Sequence, residues 1–210
     1  LGELICERAG ILNLGIEGIM TIGALVGWTA VYLGAELSTG ILVAALVGAS
    51  FGFLHALFSV HLGASQHVTG IGITLFASSI GYYSFRILLP SSTTPPKIEA
   101  FQPLDIPFLS DIPFFGIALF QHTGFTYLAF LLVPVVFWLM NKTPLGLAIK
   151  VAGENPMALE AQGVDVLFIR TVALMIGSSL MALGGAYLTM SAFDAFYFGM
   201  VNGRGWIAIA

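Results

Sequence analysis

The stretch ERAGILNLGIEGIMTIGAL, residues 7–25, sets the carboxamide of Asn13 four residues before the carboxylate of Glu17, inside an otherwise apolar run. On a helix, residues four apart share a face, so this pair would present an amide and a carboxylate on one side. An acid at membrane depth is expensive and faces a cavity or a partner. The competing reading keeps Glu17 at the interface, beside Arg8 or another local partner. Gly10, Gly15 and Gly18 make a regular helix doubtful here; a broken or re-entrant segment lining an aqueous path tolerates them. Gln66 and His67, in GASQHVTGIGITLF (63–76), are the second polar pair. They serve either as a helix cap or as pathway contacts. His67 alone does not make a proton relay, which needs several linked groups. His55, His61 and His122 read as interfacial, and Asp194 and Arg204 as a pair across an outward loop.

The third polar stretch, AGENPMALEAQGVD (152–165), has signals for a very short helix. Asn155 is a good N-cap. Pro156 follows at the first helical position, where its missing N–H is no loss. MALEAQ holds mostly good helix formers, and Gly163 supplies a left-handed stop. The spacing predicts a helix over 156–162. Two turns do not stand alone in water, so this helix packs on something. Met157, Ala158, Leu159 and Ala161 give it a small apolar surface; Glu154 and Glu160 give it charge. It either rests on the membrane surface between two spans or plugs into a groove on a cytoplasmic partner.

Absent motifs narrow the chemistry. No Gly-x4-Gly-Lys-Ser/Thr loop occurs, so the chain does not bind ATP in that way. Neither His-Glu-x2-His nor Gly-x-Ser-x-Gly appears. Cys6 is the single cysteine, which excludes an internal disulfide, and no cysteine/histidine spacing suggests a metal site. The net charge of −4 without a basic cluster argues against nucleic acid as a partner.

The elements that position these residues follow from composition. The 210 residues are 58% hydrophobic and 9% charged, against about 25% charged in soluble domains. A globule of this size leaves much of its surface wet, so lipid must be the solvent. Apolar runs of roughly 20 residues mark spans at about 16–34, 39–62, 68–89, 124–141 and 171–191, and a sixth begins near Trp206. The expected fold is an all-α polytopic transmembrane bundle of about five complete spans and the start of a sixth. Pro134 predicts a kink in the fourth. Strands are not expected, because the runs are continuously apolar. Gly48 and Gly52, and the small residues of GSSLMALGGA (177–186), let helices approach closely, within one bundle or at a dimer seam.

Residues 1–210 read as one transmembrane domain, a fragment missing both ends. Residues 90–123 contain six prolines, which excludes a long helix; they form an extracytoplasmic loop whose stretch PFLSDIPFFGIALFQH lies along a membrane face. Residues 142–170 carry Lys142, Lys150 and Arg170 and share a side with Arg8. The opposite side has Arg86, Lys97 and Arg204. This four-to-three balance makes 142–170 the cytoplasmic loop.

ERAGILNLGIEGIMTIGAL closely resembles the early region of ABC-importer permeases of the branched-chain amino acid/simple sugar superfamily, in its nucleoside and simple-sugar branch. The likeness continues in order through PLDIPFLSDIPFFGIALFQHTGFTYLAF, TPLGLAIKVAGENPMALEAQGVDVLFIR, GGAYLTM and GRGWIAIA. It implies a multi-pass permease subunit of a bacterial cell membrane, without catalytic activity or cofactor. Its implied partners are a cytoplasmic ATPase, a second permease, identical or related, and an external solute-binding protein or lipoprotein. The resemblance places Gly153, Glu154, Asn155, Pro156, Ala158 and Gly163 in the loop whose short helix docks on the ATPase. Lys150 departs from the arginine common in this branch. Asn13, Glu17, Gln66 and His67 are the candidate pathway residues for a nucleoside or sugar moved by alternating access. Two other classes compete: an ion-coupled secondary transporter, which needs charge on several spans, and a membrane scaffold, which needs no polar lining.

Overall fold

The computed structural model describes residues 1–89, 95–105 and 120–209. Its helices are α1 (Gly2–Arg8), α2 (Ile16–Tyr32), α3 (Leu37–Ala56), α4 (Gln66–Leu88), α5 (Gly124–Lys142), α6 (Pro144–Glu154), α7 (Pro156–Ala161), α8 (Val166–Tyr187) and α9 (Arg204–Ile207). Short π-helical turns extend α3 to His61 and α8 to Ala192. Among the described residues, four helices are long and apolar enough to cross a membrane: Leu37–His61, Gln66–Leu88, Gly124–Lys142 and Val166–Ala192. The 17 residues of α2 are apolar but shorter. The expected helical membrane bundle is the observed one.

α8 is the axis. Half of its most apolar window is buried, against 22% for α4 and 17% for α5. Small residues let three helices reach it. A Cβ added to Gly48 of α3 would lie 2.6 Å from the Ser178 carbonyl, and one on Gly52 would lie 2.5 Å from that of Leu174. Gly23 of α2 meets the Ala182 backbone, and Gly2 of α1 meets Gly177. The Gly48/Gly52 spacing therefore serves packing within one bundle. Side chains on the outer faces of α4 and α5, among them Val68, Leu75, Tyr83, Phe137 and Trp138, are exposed, as lipid-facing residues must be in a bundle whose solvent is apolar. α5 runs through Pro134 without interruption.

One departure from the expected all-helical pattern is a three-residue ribbon, Pro103–Asp105 antiparallel to Gln121–Thr123. The proline density of this region forbids a long helix, and the ribbon is how the described part of the loop pairs its backbone. The expectation for PFLSDIPFFGIALFQH falls mostly outside the described residues.

Candidate functional site

α1 and α2 do not join. Gly10 has φ +79°, and residues Ala9–Gly15 form an irregular link. α1 descends along α8 from Gly177, and α2 starts again near Ser178 and Met181, close to the middle of Val166–Ala192. The expected broken segment is thus present. Irregular backbone inside lipid must have every polar group satisfied, and polar side chains do this here. Leu12 N–H donates to Gln66 Oε1 at 3.0 Å, and Gln66 Nε2 donates to the Gly10 carbonyl at 3.4 Å. Asn13 N–H donates to Glu3 Oε1 at 2.9 Å. Asn13 Oδ1 accepts from Gly15 N–H at 3.0 Å, while its Nδ2 donates to Ser178 Oγ at 3.1 Å. Thr74 Oγ1 donates to the Leu14 carbonyl at 2.9 Å.

Asn13 and Glu17 consequently do not share a helical face: Asn13 lies in the link and Glu17 in the first turn of α2. The link is extended enough to turn Asn13, which is fully buried, onto α8. Glu17 turns instead to the far end of the sequence. Its Oε1 accepts from Gly203 N–H at 2.7 Å and its Oε2 from Gly205 N–H at 2.9 Å. These donors stand at the start of α9, where helix N–H groups have no intrahelical acceptor. Glu17 is therefore partnered by backbone rather than by Arg8. A Cβ on Gly205 would lie 2.7 Å from Glu17 Oε2, so the close approach requires glycine there.

The segment 142–170 holds two helices where the sequence suggested one. α6 is capped by Thr143, whose Oγ1 accepts from Gly146 N–H, with Pro144 at its first position. α7 follows after Asn155, whose Oδ1 accepts from Ala158 N–H at 3.2 Å. α7 ends at Ala161, one residue before the expected boundary, and Gly163 makes the stop at φ +78°. Leu159 points inward with Ile149, Ala152 and Ile169. Met157 is 81% exposed, and Glu154, Asn155 and Glu160 are exposed too. Ala158 is half-buried. Asp165 then caps α8 through Oδ1, which accepts from Leu167 and Phe168 N–H.

Arg170 joins the two regions. Its Nε donates to the Ala9 carbonyl at 3.2 Å and its Nη2 to the Ala152 carbonyl at 3.0 Å. Beside this clamp the backbones touch: a Cβ on Gly153 would collide with the Arg8 carbonyl and lie 2.9 Å from Gly10 N. Gly153 is thus a contact glycine between the α6–α7 unit and the broken link. In the sequence Arg170 marks only orientation and Ser178 only a small packing face, and Glu3 draws no notice. Charge and small size marked each of them, but their partners lie up to 165 residues away.

The remaining predicted residues stay apart from this cluster. His67 is exposed at the start of α4. His61 Nε2 lies 3.0 Å from Thr171 Oγ1. His55 is fully buried within the protein, on the glycine-bearing side of α3. Arg204 and Asp194 do not pair across the loop. Arg204 Nη1 instead donates to the Met200 and Val201 carbonyls, closing its own turn, and the Asp194 carbonyl accepts from Ile98 N–H.

An apolar exterior, four helices long and apolar enough to cross a membrane, and a polar break between α1 and α2 define a multi-pass helical membrane protein. The chain belongs to the family described as branched-chain amino acid transport system / permease component, which it matches over residues 1–210. It is 35% identical to a putative glucose ABC transporter permease of Haloferax volcanii, covering 100% of this chain and 64% of the relative. A guanosine ABC transporter permease of Bacillus subtilis is 33% identical, with 100% and 68% covered. A nucleoside ABC transporter permease of Lactococcus lactis is 31% identical, with the same shares. The chain thus spans about two thirds of the length of these relatives. No solved structure matches.

Proposed function

We propose that the chain is the membrane-spanning subunit of an ATP-driven importer that moves a nucleoside or simple sugar across a bacterial cell membrane by alternating access. A separate cytoplasmic ATPase supplies the energy, a second permease completes the pathway, and an external solute-binding protein or lipoprotein delivers the solute. Residues 142–170 face the cytoplasm in this reading, and 90–123 lie outside. α7 is the coupling helix: Gly153, Glu154, Asn155, Pro156, Ala158 and Gly163 shape and hold it.

The Arg170 clamp, with the Gly153 contact, is the observation that carries this reading. A helix docked only on lipid needs no rigid tie to a break at membrane depth. Here a push on α7 reaches α6 through Asn155, and α6 bears directly on the link between α1 and α2. The motor's motion is delivered to that link as well as to α5 and α8. Asn13 and Gln66 keep the link in one geometry, and Glu17 ties the start of α2 to α9, so together they govern the pathway wall. His67, exposed beside Gln66, borders the exit on the ATPase side.

A crosslinking experiment on the assembled complex in native membranes tests this. A photoreactive group at Met157 should mark the ATPase in an ATP-dependent manner. Labelling of lipid or of the permease alone, with the ATPase present, would overturn the docking.

A further inference from the structure

Beside the broken link lies a cavity of about 420 Å³ between α1, the start of α2, α5 and α8. Such volumes fall in the roughly 300–1,000 Å³ range of small-molecule sites. Its walls are largely apolar and include Met20, Phe125, Phe130 and Met181. Three polar side chains interrupt them: Glu3, Thr126 and Tyr187. Glu3 is only 5% exposed. Its Oε1 is engaged by Asn13 N–H, yet its Oε2 is buried without a hydrogen-bond partner. A buried polar atom without a partner is costly, and a ligand N–H or O–H beside it would remove that cost. On the α5–α8 wall, Thr126 Oγ1 lies 3.3 Å from Tyr187 Oη and 3.0 Å from Thr123 Oγ1, which lies 2.6 Å from Ser191 Oγ. Each hydroxyl has one donor and two acceptor sites, so this chain retains capacity for a ligand.

We infer that this cavity is the membrane-depth solute site, with Glu3 accepting a hydrogen bond from a solute hydroxyl or N–H. The inference rests on the importer reading and names the site within it. The occupant is a small neutral solute rich in hydroxyls, of sugar or nucleoside size. Phe125, Phe130 and Met181 meet its apolar faces, and Thr126 and Tyr187 take further hydroxyls. A lipid chain is a poor occupant, because it would leave Glu3 Oε2 unpaired. The same carboxylate holds Asn13 in the link, so filling the site bears on the link that Arg170 ties to α6. Solute and motor act on one element from opposite ends.

The test uses the full-length permease with its ATPase, second permease and binding protein in proteoliposomes, with tritiated guanosine and glucose as probes. Glu3→Gln keeps an acceptor for Asn13 N–H but removes the charge and turns the second oxygen into a donor; Thr126→Val removes a hydroxyl at nearly constant volume. Ala129→Phe fills the cavity. KM for uptake should rise about tenfold or more in the first, severalfold in the second, and uptake should be lost in the third. Co-purification of the ATPase with each variant shows that the complex has assembled. Uptake within twofold of the wild type in Thr126→Val and Ala129→Phe would overturn the site while leaving the importer intact, and the cavity would then be lipid-filled. Wild-type proteoliposomes that take up neither probe in an ATP-dependent way would overturn both readings.

Discussion

The coupling route is sharpest at Arg170. Replacing it with methionine keeps the length and apolar stem but removes both hydrogen bonds, to the Ala9 carbonyl at 3.2 Å and the Ala152 carbonyl at 3.0 Å. Hydrogen bonds from a charged donor contribute about 1.5–3 kcal/mol each. The site is half-buried, so water recovers part of that, and we take the lower end. The link and α6 then lose about 3 kcal/mol of mutual attraction, roughly a hundredfold in their preference to move together. Lysine makes one such bond at most, since it lacks the planar fork, and should fall between. The assay is solute transported per ATP hydrolysed by the reconstituted complex. Arg170→Met should lower this ratio at least tenfold and Arg170→Lys severalfold, with hydrolysis continuing in both. An unchanged ratio in Arg170→Met would refute the reasoning, because the drive would then reach the bundle by another path.

Further outcomes follow from the same contacts. Gly163→Val places a β-branched residue at φ +78°, at a penalty of about 1–2 kcal/mol; uptake should uncouple from hydrolysis while membrane insertion, read by protease protection, survives. Glu17→Ala strips the acceptors from Gly203 and Gly205 N–H; transport should fall with the ATPase still bound, and Glu17→Gln should retain more of it. Normal uptake by Glu17→Ala would show that the α9 start needs no such acceptor. Gly52→Leu drives a side chain into the α8 backbone and should lower the detergent melting temperature by several degrees, whereas an unchanged melt would dissolve the α3–α8 seam.

Spans were legible because lipid demands long apolar runs, and α7 was legible because its signals are local: Asn155, Pro156 and Gly163 act within a turn of themselves. The geometry of Asn13 and Glu17 was not. Their four-residue spacing suggested one face, but helical spacing means nothing where the helix is interrupted, and the acceptors and donors that settle their directions come from Ser178, Gly203 and Gly205. Arg170 and Glu3 escaped for the same reason. α6 escaped for another: PLGLAIKVAGE is amphipathic and short, and its proline reads as a loop signal until Thr143 is seen capping it.

The union of Glu17 with Gly203 and Gly205 has a consequence for biogenesis. The acid is translated 186 residues before the first of its two donors. At roughly 5–20 residues per second, it waits on the order of 10–40 s. During that interval α2 has no stable berth in hydrocarbon, and its carboxylate must remain hydrated or in the keeping of the insertion machinery. α2 therefore settles only after Gly203 and Gly205 have been made, and a ribosome stalled before residue 203 leaves its carboxylate without these donors.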